Sequence, residues 1–345
     1  MNSEADNPPT PSARSRRGKA VAVGGLLVGL ALLVGLVVWQ GVGEITDLVV
    51  KAGWPLLAVC VFAVPDQLLG AEAWRRLFPT AHRPRPMATW MASWMGSAVN
   101  TLLPVATIGG EVVKARLITL WGGDSTYAAA TMIVDKTAQA IVVLVWGVIG
   151  IALLAAVAEA PEVVVGALIG AALLAAGIGG FVWVQIKGAL GFVTRTASSM
   201  RRDDKWSGIV DASETVDARV RETYGRPGAV AAACALRLAG RIAMVGEVLL
   251  VAHLMGFEVS LMEAVLLKGV VYGVRGVAFV IPGGFGVQEG GFIAVGALIG
   301  LPADFMLAVS LAIRAREMLP SIPFLIAWQV TESRHHLKQR TEEAD

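Results

Sequence analysis

The chain has 345 residues, of which 55% are hydrophobic and 16% are charged, and its formal net charge is +2. This composition is typical of an integral membrane protein, so the length does not indicate two or three soluble domains. The small net charge gives no reason to expect nucleic acid as a partner. Cys60 and Cys234 both lie in apolar segments, which argues against a disulfide framework.

The first 43 residues divide into a polar part and an apolar part. Residues 1–19 are polar and basic, and we expect them to be disordered and cytoplasmic. Residues 20–43 carry no charge and are long enough to span the hydrocarbon of a bilayer. No clear cleavage site follows them, so a first transmembrane helix is favoured over a signal peptide.

Further apolar segments predict additional membrane spans, at 52–69, 128–157, 163–186, 229–256 and 306–330. The segment 187–226 is polar with charges of both signs, which predicts an amphipathic helix in a cytoplasmic loop. The transmembrane bundle is therefore expected to occupy 20–331, with a short polar tail at 332–345.

Basic residues concentrate in the N-terminus, the 75–85 loop, the 187–226 segment and the C-terminal tail. Cytoplasmic loops of membrane proteins carry an excess of Lys and Arg, so all four are expected in the cytoplasm. The prediction is a multi-pass protein of the bacterial inner membrane with both termini in the cytoplasm and the acidic loop 159–162 outside.

An apolar region near the C-terminus is interrupted by a Pro/Gly-rich motif, made of Pro282, Gly283, Gly284 and Gly286 and followed by Gln288 and Glu289. Proline removes a backbone donor and glycine loses much freedom on ordering, so a helix is expected to break here. Broken backbone at membrane depth survives only where protein or a water-filled cavity satisfies its polar groups. A carboxylate at such a place is a functional-site hypothesis.

A second copy of this motif lies upstream. Pro104 precedes Glu111 by the same seven residues that separate Pro282 from Glu289, and glycines again occupy the interval. Corresponding Pro/Gly breaks in two halves of a membrane protein indicate an internal repeat and a central site. Coincidence is the alternative, because short Pro–Gly–Glu patterns are common in glycine-rich chains.

The two motifs predict re-entrant hairpins at about 87–120 and 264–300. In the charge-based topology the first enters from the cytoplasm and the second from outside, as inverted-topology repeats require. The predicted fold class is therefore an all-α polytopic membrane protein, a helical bundle with two inverted repeats that each carry a Pro/Gly-broken re-entrant hairpin.

At these residues the chain resembles the flippase-like family typified by the transmembrane region of lysylphosphatidylglycerol synthase. The resemblance is carried by Asn100, Pro104, Gly110, Glu111, Asp135, Lys136, Pro282, Gly283, Gly286, Glu289 and Arg314. It covers nearly everything from the first span to the last, and 100–104, 109–114 and 286–291 look most like the hopanoid-associated membrane protein branch.

The chain departs from the family in two places. Residues 106–108 are Ala-Thr-Ile where the family often has an arginine, so one charge that would suit an anionic head group is missing. The sequence also ends soon after the last span, so we expect no aminoacyl-transferase domain and no lipid aminoacylation.

The resemblance implies a lipid translocase, and the polar residues would line the path of the lipid head group. Burying a polar group in hydrocarbon costs on the order of 2 to 7 kcal/mol, so a moving head group needs a polar lining. We expect no catalytic residue, metal site or cofactor, and we expect a membrane lipid, phospholipid or hopanoid-related, as the substrate. The predicted path comprises Asn100, Pro104, Gly109, Gly110, Glu111, Lys114, Asp135, Lys136, Arg275, Pro282, Gly283, Gly284, Gly286, Gln288, Glu289 and Arg314.

Two other functions stay open: a membrane enzyme acting on a lipid-linked substrate, and a scaffold for lipid or lipid-linked glycan biosynthesis enzymes. The charges also have structural alternatives. Lys136 is long enough to snorkel to the interface. Arg237 and Arg241 share a helix face, and we expect either of them to pair with Glu247 or with a carboxylate on a neighbouring helix, since intramembrane charges usually pair. Glu289 has Arg275 and Arg314 as candidate partners, and Arg314 is three residues from Glu317, close enough on a helix to pair with it.

Overall fold

A computed structural model describes residues 54–103, 109–157, 161–187, 205–277 and 286–342. The polar segment 1–19 and the predicted span 20–43 lie outside the described residues. So do four residues of the predicted path, Pro104, Pro282, Gly283 and Gly284. The flanking helices are described on both sides of each Pro/Gly motif.

The regular structure in the described ranges is helical throughout, which confirms the all-α prediction. A 3-10 helix, Trp54–Phe62, leads directly into α1, and a second one occupies Thr80–His82. The α-helices are α1 (Ala63–Leu77), α2 (Pro86–Leu102), α3 (Gly109–Leu120), α4 (Ser125–Val157), α5 (Pro161–Ile186), α6 (Lys205–Tyr224), α7 (Pro227–Ala243), α8 (Val245–Met255), α9 (Leu261–Val277), α10 (Val287–Leu298), α11 (Ala303–Met318) and α12 (Ser321–Glu342).

Four helical stretches of the described chain are long and apolar enough to cross a membrane: Leu57–Leu77, Ser125–Val157, Val164–Ile186 and Pro227–Met255. The last three agree closely with the predicted spans. The first extends to Leu77, beyond the predicted end at residue 69, because Pro65 falls in the first turn of α1, where a missing amide is tolerated.

The predicted span 306–330 is wrong as a single helix. α11 ends at Met318 and α12 begins at Ser321. Pro320 lies between them, and proline cannot donate the backbone hydrogen bond that a continuous helix needs. The apolar run therefore contributes two helices that meet at a break.

Helices α2 and α3 form an antiparallel hairpin. The side-chain oxygen of Asn100 accepts a hydrogen bond from the Gly110 amide at 2.8 Å. Four residues earlier on α2, Gly96 lies against the carbonyl of Gly110 and the side chain of Lys114. A Cβ atom at Gly96 or Gly110 would collide with the other's carbonyl oxygen, so glycine is what allows the two helices to approach this closely.

Helices α9 and α10 form a second antiparallel hairpin of the same dimensions. Arg275 near the end of α9 donates to Gln288 at the start of α10 at 2.6 Å, and Gly291 faces Val271. Each hairpin has a first helix of 17 residues and a second of 12. At 1.5 Å per residue these are about 25 and 18 Å long, shorter than the roughly 30 Å hydrocarbon core of a bilayer.

The long helix α4 supports both hairpins. From the α2–α3 hairpin, Glu111 reaches Lys136 on α4, and a short turn joins α3 to the start of α4. From the other hairpin, α9 runs antiparallel to α4, so that Gly269 packs on Gly150 and Gly276 on Val143. The α2–α3 hairpin thus lies beside the N-terminal part of α4, and the α9–α10 hairpin lies beside its C-terminal part. Their tips contact it at Lys136 and Val143, seven residues or about 10 Å apart.

The two hairpins also sit at equivalent sequence positions. Helix α10 begins 178 residues after α3 and ends 178 residues after it, and α11 begins 178 residues after α4. The offset is the same between Glu111 and Glu289 and between Pro104 and Pro282. This agreement favours an internal repeat over coincidence. Re-entry into the membrane and inversion across it stay predictions, since both depend on where the bilayer lies.

Candidate functional site

A polar cavity of about 220 Å³ lies between α1, α2, α3, α4 and α7. Its walls include five residues of the predicted path: Asn100, Glu111, Lys114, Asp135 and Lys136. Side chains that sequence reasoning did not place in the path also line it, namely Asp66, Gln67, Ser93, Ser97, Gln139, Arg237 and Arg241. We refer to this space as the polar cavity.

Glu111 is held at the wall of the polar cavity by two lysines. It lies in the first turn of α3 and is buried. Its carboxylate oxygens are 2.6 Å from the Lys136 Nζ and 3.2 Å from the Lys114 Nζ. Lys136 therefore turns inward to Glu111 instead of snorkelling. The side chain of Lys136 is 38% exposed and lines the polar cavity.

Asp135 forms the second ion pair of the polar cavity. It is 1% exposed and accepts hydrogen bonds from the guanidinium of Arg237, the Nε at 2.9 Å and the Nη2 at 2.6 Å, both to Oδ1. Gln139, one turn along α4, donates to the other carboxylate oxygen at 3.0 Å. A two-nitrogen contact to arginine is among the stronger ion-pair geometries. The expectation that Arg237 pairs with a carboxylate on a neighbouring helix is confirmed.

The polar cavity has more cationic than anionic side chains. Lys114, Lys136, Arg237 and Arg241 face Asp66, Glu111 and Asp135. The guanidinium of Arg241 lies 4.8 Å from the centre of the Tyr272 ring, a cation–π contact. Arg241 therefore lies between the polar cavity, which it lines, and the Tyr272 ring. The spacing of Arg237 and Arg241, one turn apart in an apolar segment, was the sequence signal for both.

Glu289 occupies the equivalent position in the second hairpin but is fully buried. One carboxylate oxygen accepts from the Gly286 amide at 2.7 Å, and the other from Arg314 on α11 at 2.8 Å. Gly286 has a φ of 76°, a conformation that favours glycine and lets the chain turn into α10. Arg314 is thus closer to Glu289 than to Glu317, where the separation is 3.7 Å.

Glu289 belongs to a larger cluster of buried charges, which we call the C-terminal charge network. Arg275 bridges Gln288 at 2.6 Å and Glu317 at 2.7 Å. Deeper in the bundle, two cations hold Glu247: Lys268 at 2.9 Å and Arg316 at 3.0 Å. The network comprises Glu247, Lys268, Arg275, Gln288, Glu289, Arg314, Arg316 and Glu317.

The two glutamates make the same long-range pairing. Glu111 pairs with Lys136 on α4, and Glu289 pairs with Arg314 on α11. Each cation is 25 residues after its glutamate, on the helix that follows the hairpin. The side chains of the described path residues therefore fall into two equivalent groups. One lines the polar cavity, and the other forms the C-terminal charge network and does not line that cavity.

The polar side chains of the cavity wall are mainly nitrogen donors. Among the residues that the structure describes, no group of three or more His, Cys, Asp or Glu side chains is arranged to hold a metal ion. Gly109, the first residue of α3, contributes backbone to the hairpin and no side chain to the cavity. Ammonium, guanidinium and amide donors dominate the wall, a set suited to a phosphate or another anionic group.

Comparison with known proteins identifies the membrane region. Residues 26–323 match the family model described as the lysylphosphatidylglycerol synthase TM region. Comparison with curated proteins and with solved structures finds no match. The matched range contains both hairpins, the polar cavity and the C-terminal charge network.

Proposed function

Because the chain belongs to the family of the lysylphosphatidylglycerol synthase TM region, an integral membrane family linked to lipid metabolism or transport, we propose that it is a lipid translocase. It moves a polar-headed lipid, a phospholipid or a hopanoid-related lipid, between the leaflets of the bacterial inner membrane. The observation that carries the proposal is the polar cavity, whose walls belong largely to helices able to cross a membrane.

The polar cavity supplies what a head group needs on its way through hydrocarbon. Transfer of a polar group from water to hydrocarbon costs on the order of 2 to 7 kcal/mol of free energy unless hydrogen bonds replace those made with water. Lys136 and Arg241 offer donors toward the open space, and the excess of cations favours an anionic head group. Glu111 pairs with Lys136, so an entering phosphate competes with a carboxylate for this ammonium group.

In the proposed transport cycle, the two groups of path residues open and close in turn. The polar cavity lies along the N-terminal half of α4, the side on which the basic 75–85 loop is expected to be cytoplasmic. The C-terminal charge network is closed by its own ion pairs. This conformation suits a state open to the cytoplasm. The opposite state would open the second hairpin and close the first, as repeat-based transporters alternate around a fixed site.

Tyr272 connects the two groups. Its ring has Arg241 of the polar cavity and Lys268 of the charge network each 4.8 Å from its centre. A head group that draws Arg241 away from the ring changes the surroundings of Lys268, which pairs with Glu247. In the proposed cycle this contact lets occupancy of the cavity affect the closed network.

The test is translocation in liposomes that contain the purified protein and a fluorescently labelled phosphatidylglycerol. Dithionite added outside should bleach label from both leaflets when the protein is present, and only the outer leaflet in its absence. We expect Arg241→Gln to slow movement of phosphatidylglycerol about fivefold more than that of phosphatidylethanolamine, since one cation of the cavity is lost, worth on the order of 1 kcal/mol.

The matched control is Arg116→Gln, which removes an arginine from an exposed ion pair with Glu332 on the outside of the bundle. It should leave both rates unchanged. A chemically altered lipid recovered from the vesicles would favour the enzyme, and an unaltered lipid that never crosses would favour the scaffold. Either result contradicts translocation.

A further inference from the structure

An apolar cleft lies further along α4 than the ion pairs, toward the C-terminal end of the helix. It has a volume of about 150 Å³ and is bounded by α4, α5 and α9. Its walls are aliphatic side chains and glycine backbone, including Val143, Gly147, Ile151, Gly170, Val270 and Gly273. Cavities of this size without polar lining stay dry and accept apolar molecules, so hydrocarbon is the material that fills the cleft favourably.

Glycines keep the cleft open. Helix α9 packs closely on α4 where Gly150 meets Gly269, next to Ile151 and Val270 of the cleft wall. On the facing helix α5, a Cβ atom at Gly170 would meet no other atom within 4 Å. Val148 and Val274, at the rim, are 41% and 44% exposed. The space is therefore a groove that opens at the surface of the bundle.

One face of α4 connects the polar cavity to the cleft. Lys136, Ala140, Val143 and Gly147 are spaced four, three and four residues apart, so they form one stripe along the helix. Lys136 lines the polar cavity, whereas Val143 and Gly147 line the cleft. The distance along the stripe from Lys136 to Val143 is about 10 Å.

We infer that the apolar cleft is a second subsite, which binds an acyl chain of the lipid whose head group occupies the polar cavity. This inference rests on the proposed function. The head group meets Lys136, and the chain runs along the stripe of α4 into the groove between α5 and α9. The acyl chain then stays bound to the protein while the head group moves. The protein therefore selects its lipid by the acyl chain as well as by the head group.

The test is photo-crosslinking with a phosphatidylglycerol that carries a diazirine in one acyl chain, present as a minor component of proteoliposomes of the full chain. Mass spectrometry gives the ratio of label on 143–151 and 270–274 to label on the exposed face of α5. We expect Gly170→Leu to lower this ratio about tenfold, because leucine fills the groove and displaces roughly two methylene groups of the chain.

Gly177→Leu is the matched control. Gly177 is also an exposed glycine of α5 with open space around it, but it does not line the cleft. It should leave the ratio within about twofold of the original protein. Thermal unfolding of both variants establishes that each is folded.

The outcomes separate the subsite from the translocase. A ratio that Gly170→Leu leaves unchanged, or an unlabelled cleft in a protein that translocates lipid, overturns the subsite. An unlabelled cleft together with a stable dimer assigns the groove to a second copy of the chain and also overturns it. A labelled cleft that Gly170→Leu empties supports the subsite even if no lipid crosses the vesicle, in which case only the translocase is contradicted.

Discussion

Glu111 and Glu289 occupy the same position in their helices but differ in what surrounds them. Glu111 faces the polar cavity, and its partner Lys136 is partly exposed there. Glu289 has no exposed surface, and Arg314 beside it is 7% exposed. Breaking a buried pair leaves an uncompensated charge and is strongly destabilising, whereas a cation that faces an open cavity can take up water or ligand.

Substituting each glutamate by glutamine is therefore expected to give different results. Glu289→Gln should destabilise the protein by up to about 3 to 5 kcal/mol, since the buried Arg314 loses its closest carboxylate, and Glu317 lies farther away at 3.7 Å. Glu111→Gln should lower stability less and should slow lipid movement. Thermal unfolding in detergent measures the first effect, and the liposome assay measures the second.

Glu332→Gln is the control for both variants, because it makes the same change in an ion pair on the outside of the bundle. Equal losses of stability in Glu111→Gln and Glu289→Gln would contradict the distinction between a cavity glutamate and a network glutamate. Normal transport by a stable Glu111→Gln protein would remove Glu111 from the path.

At the scale of elements, the hairpins depend on glycine where two helices touch. Gly110 of α3 lies against Gly96 and Asn100 of α2 with no room for a methyl group. The same contact brings Asn100 to the Gly110 amide, at the start of the helix that carries Glu111. The position of Glu111 in the polar cavity therefore follows from backbone packing one residue earlier.

Gly110→Ala should separate α2 from α3 and destabilise the protein by about 1 to 3 kcal/mol, the usual range for an overpacked core. Gly290→Ala is the matched control, since Gly290 lies in the equivalent short helix α10 and an added Cβ meets nothing within 4 Å. Alanine in a helix favours folding over glycine by roughly 1 kcal/mol, so the control should be neutral or stabilising. Urea or thermal unfolding that ranks the two variants in the reverse order would contradict the tight contact.

At the scale of the whole molecule, the inverted arrangement depends on the orientation of α4 in the membrane. The contacts place the α2–α3 hairpin along one half of α4 and the α9–α10 hairpin along the other. If α4 crosses the bilayer with its start in the cytoplasm, the two hairpins enter from opposite sides. That geometry is what inverted-topology repeats predict.

Cysteine labelling tests this orientation. In a protein with Cys60→Ser and Cys234→Ser, a cysteine at Ser207 in α6 should react only with a reagent that reaches the cytoplasm. A cysteine at Glu162, near the start of α5, should react from outside. The reason is the excess of Lys and Arg in the segments assigned to the cytoplasm. Labelling of Ser207→Cys from outside in intact cells would refute the topology.

Local chemistry was enough to predict several features from the sequence alone. The apolar runs predict helices, and three of the predicted spans agree closely with the structure. The shared seven-residue interval from proline to glutamate indicated a repeat. The same offset of 178 residues between the starts and between the ends of α3 and α10 supports it. These features were readable because hydrophobic length and the missing amide of proline act on neighbouring residues. Even so, Pro320 divides the last predicted span into two helices. The prediction missed this break because it was based on the hydrophobicity of the whole segment.

The partners of the charges were decided by tertiary structure. Asp135 pairs with Arg237, 102 residues away, and Lys136 turns to Glu111 instead of reaching the interface. Sequence places such residues at membrane depth but leaves several oppositely charged groups as possible partners. Which of them meet depends on helix crossings, and these depend on contacts such as Gly150 against Gly269. The polar cavity and the apolar cleft exist only in that packing, because each is a space between helices distant in the chain.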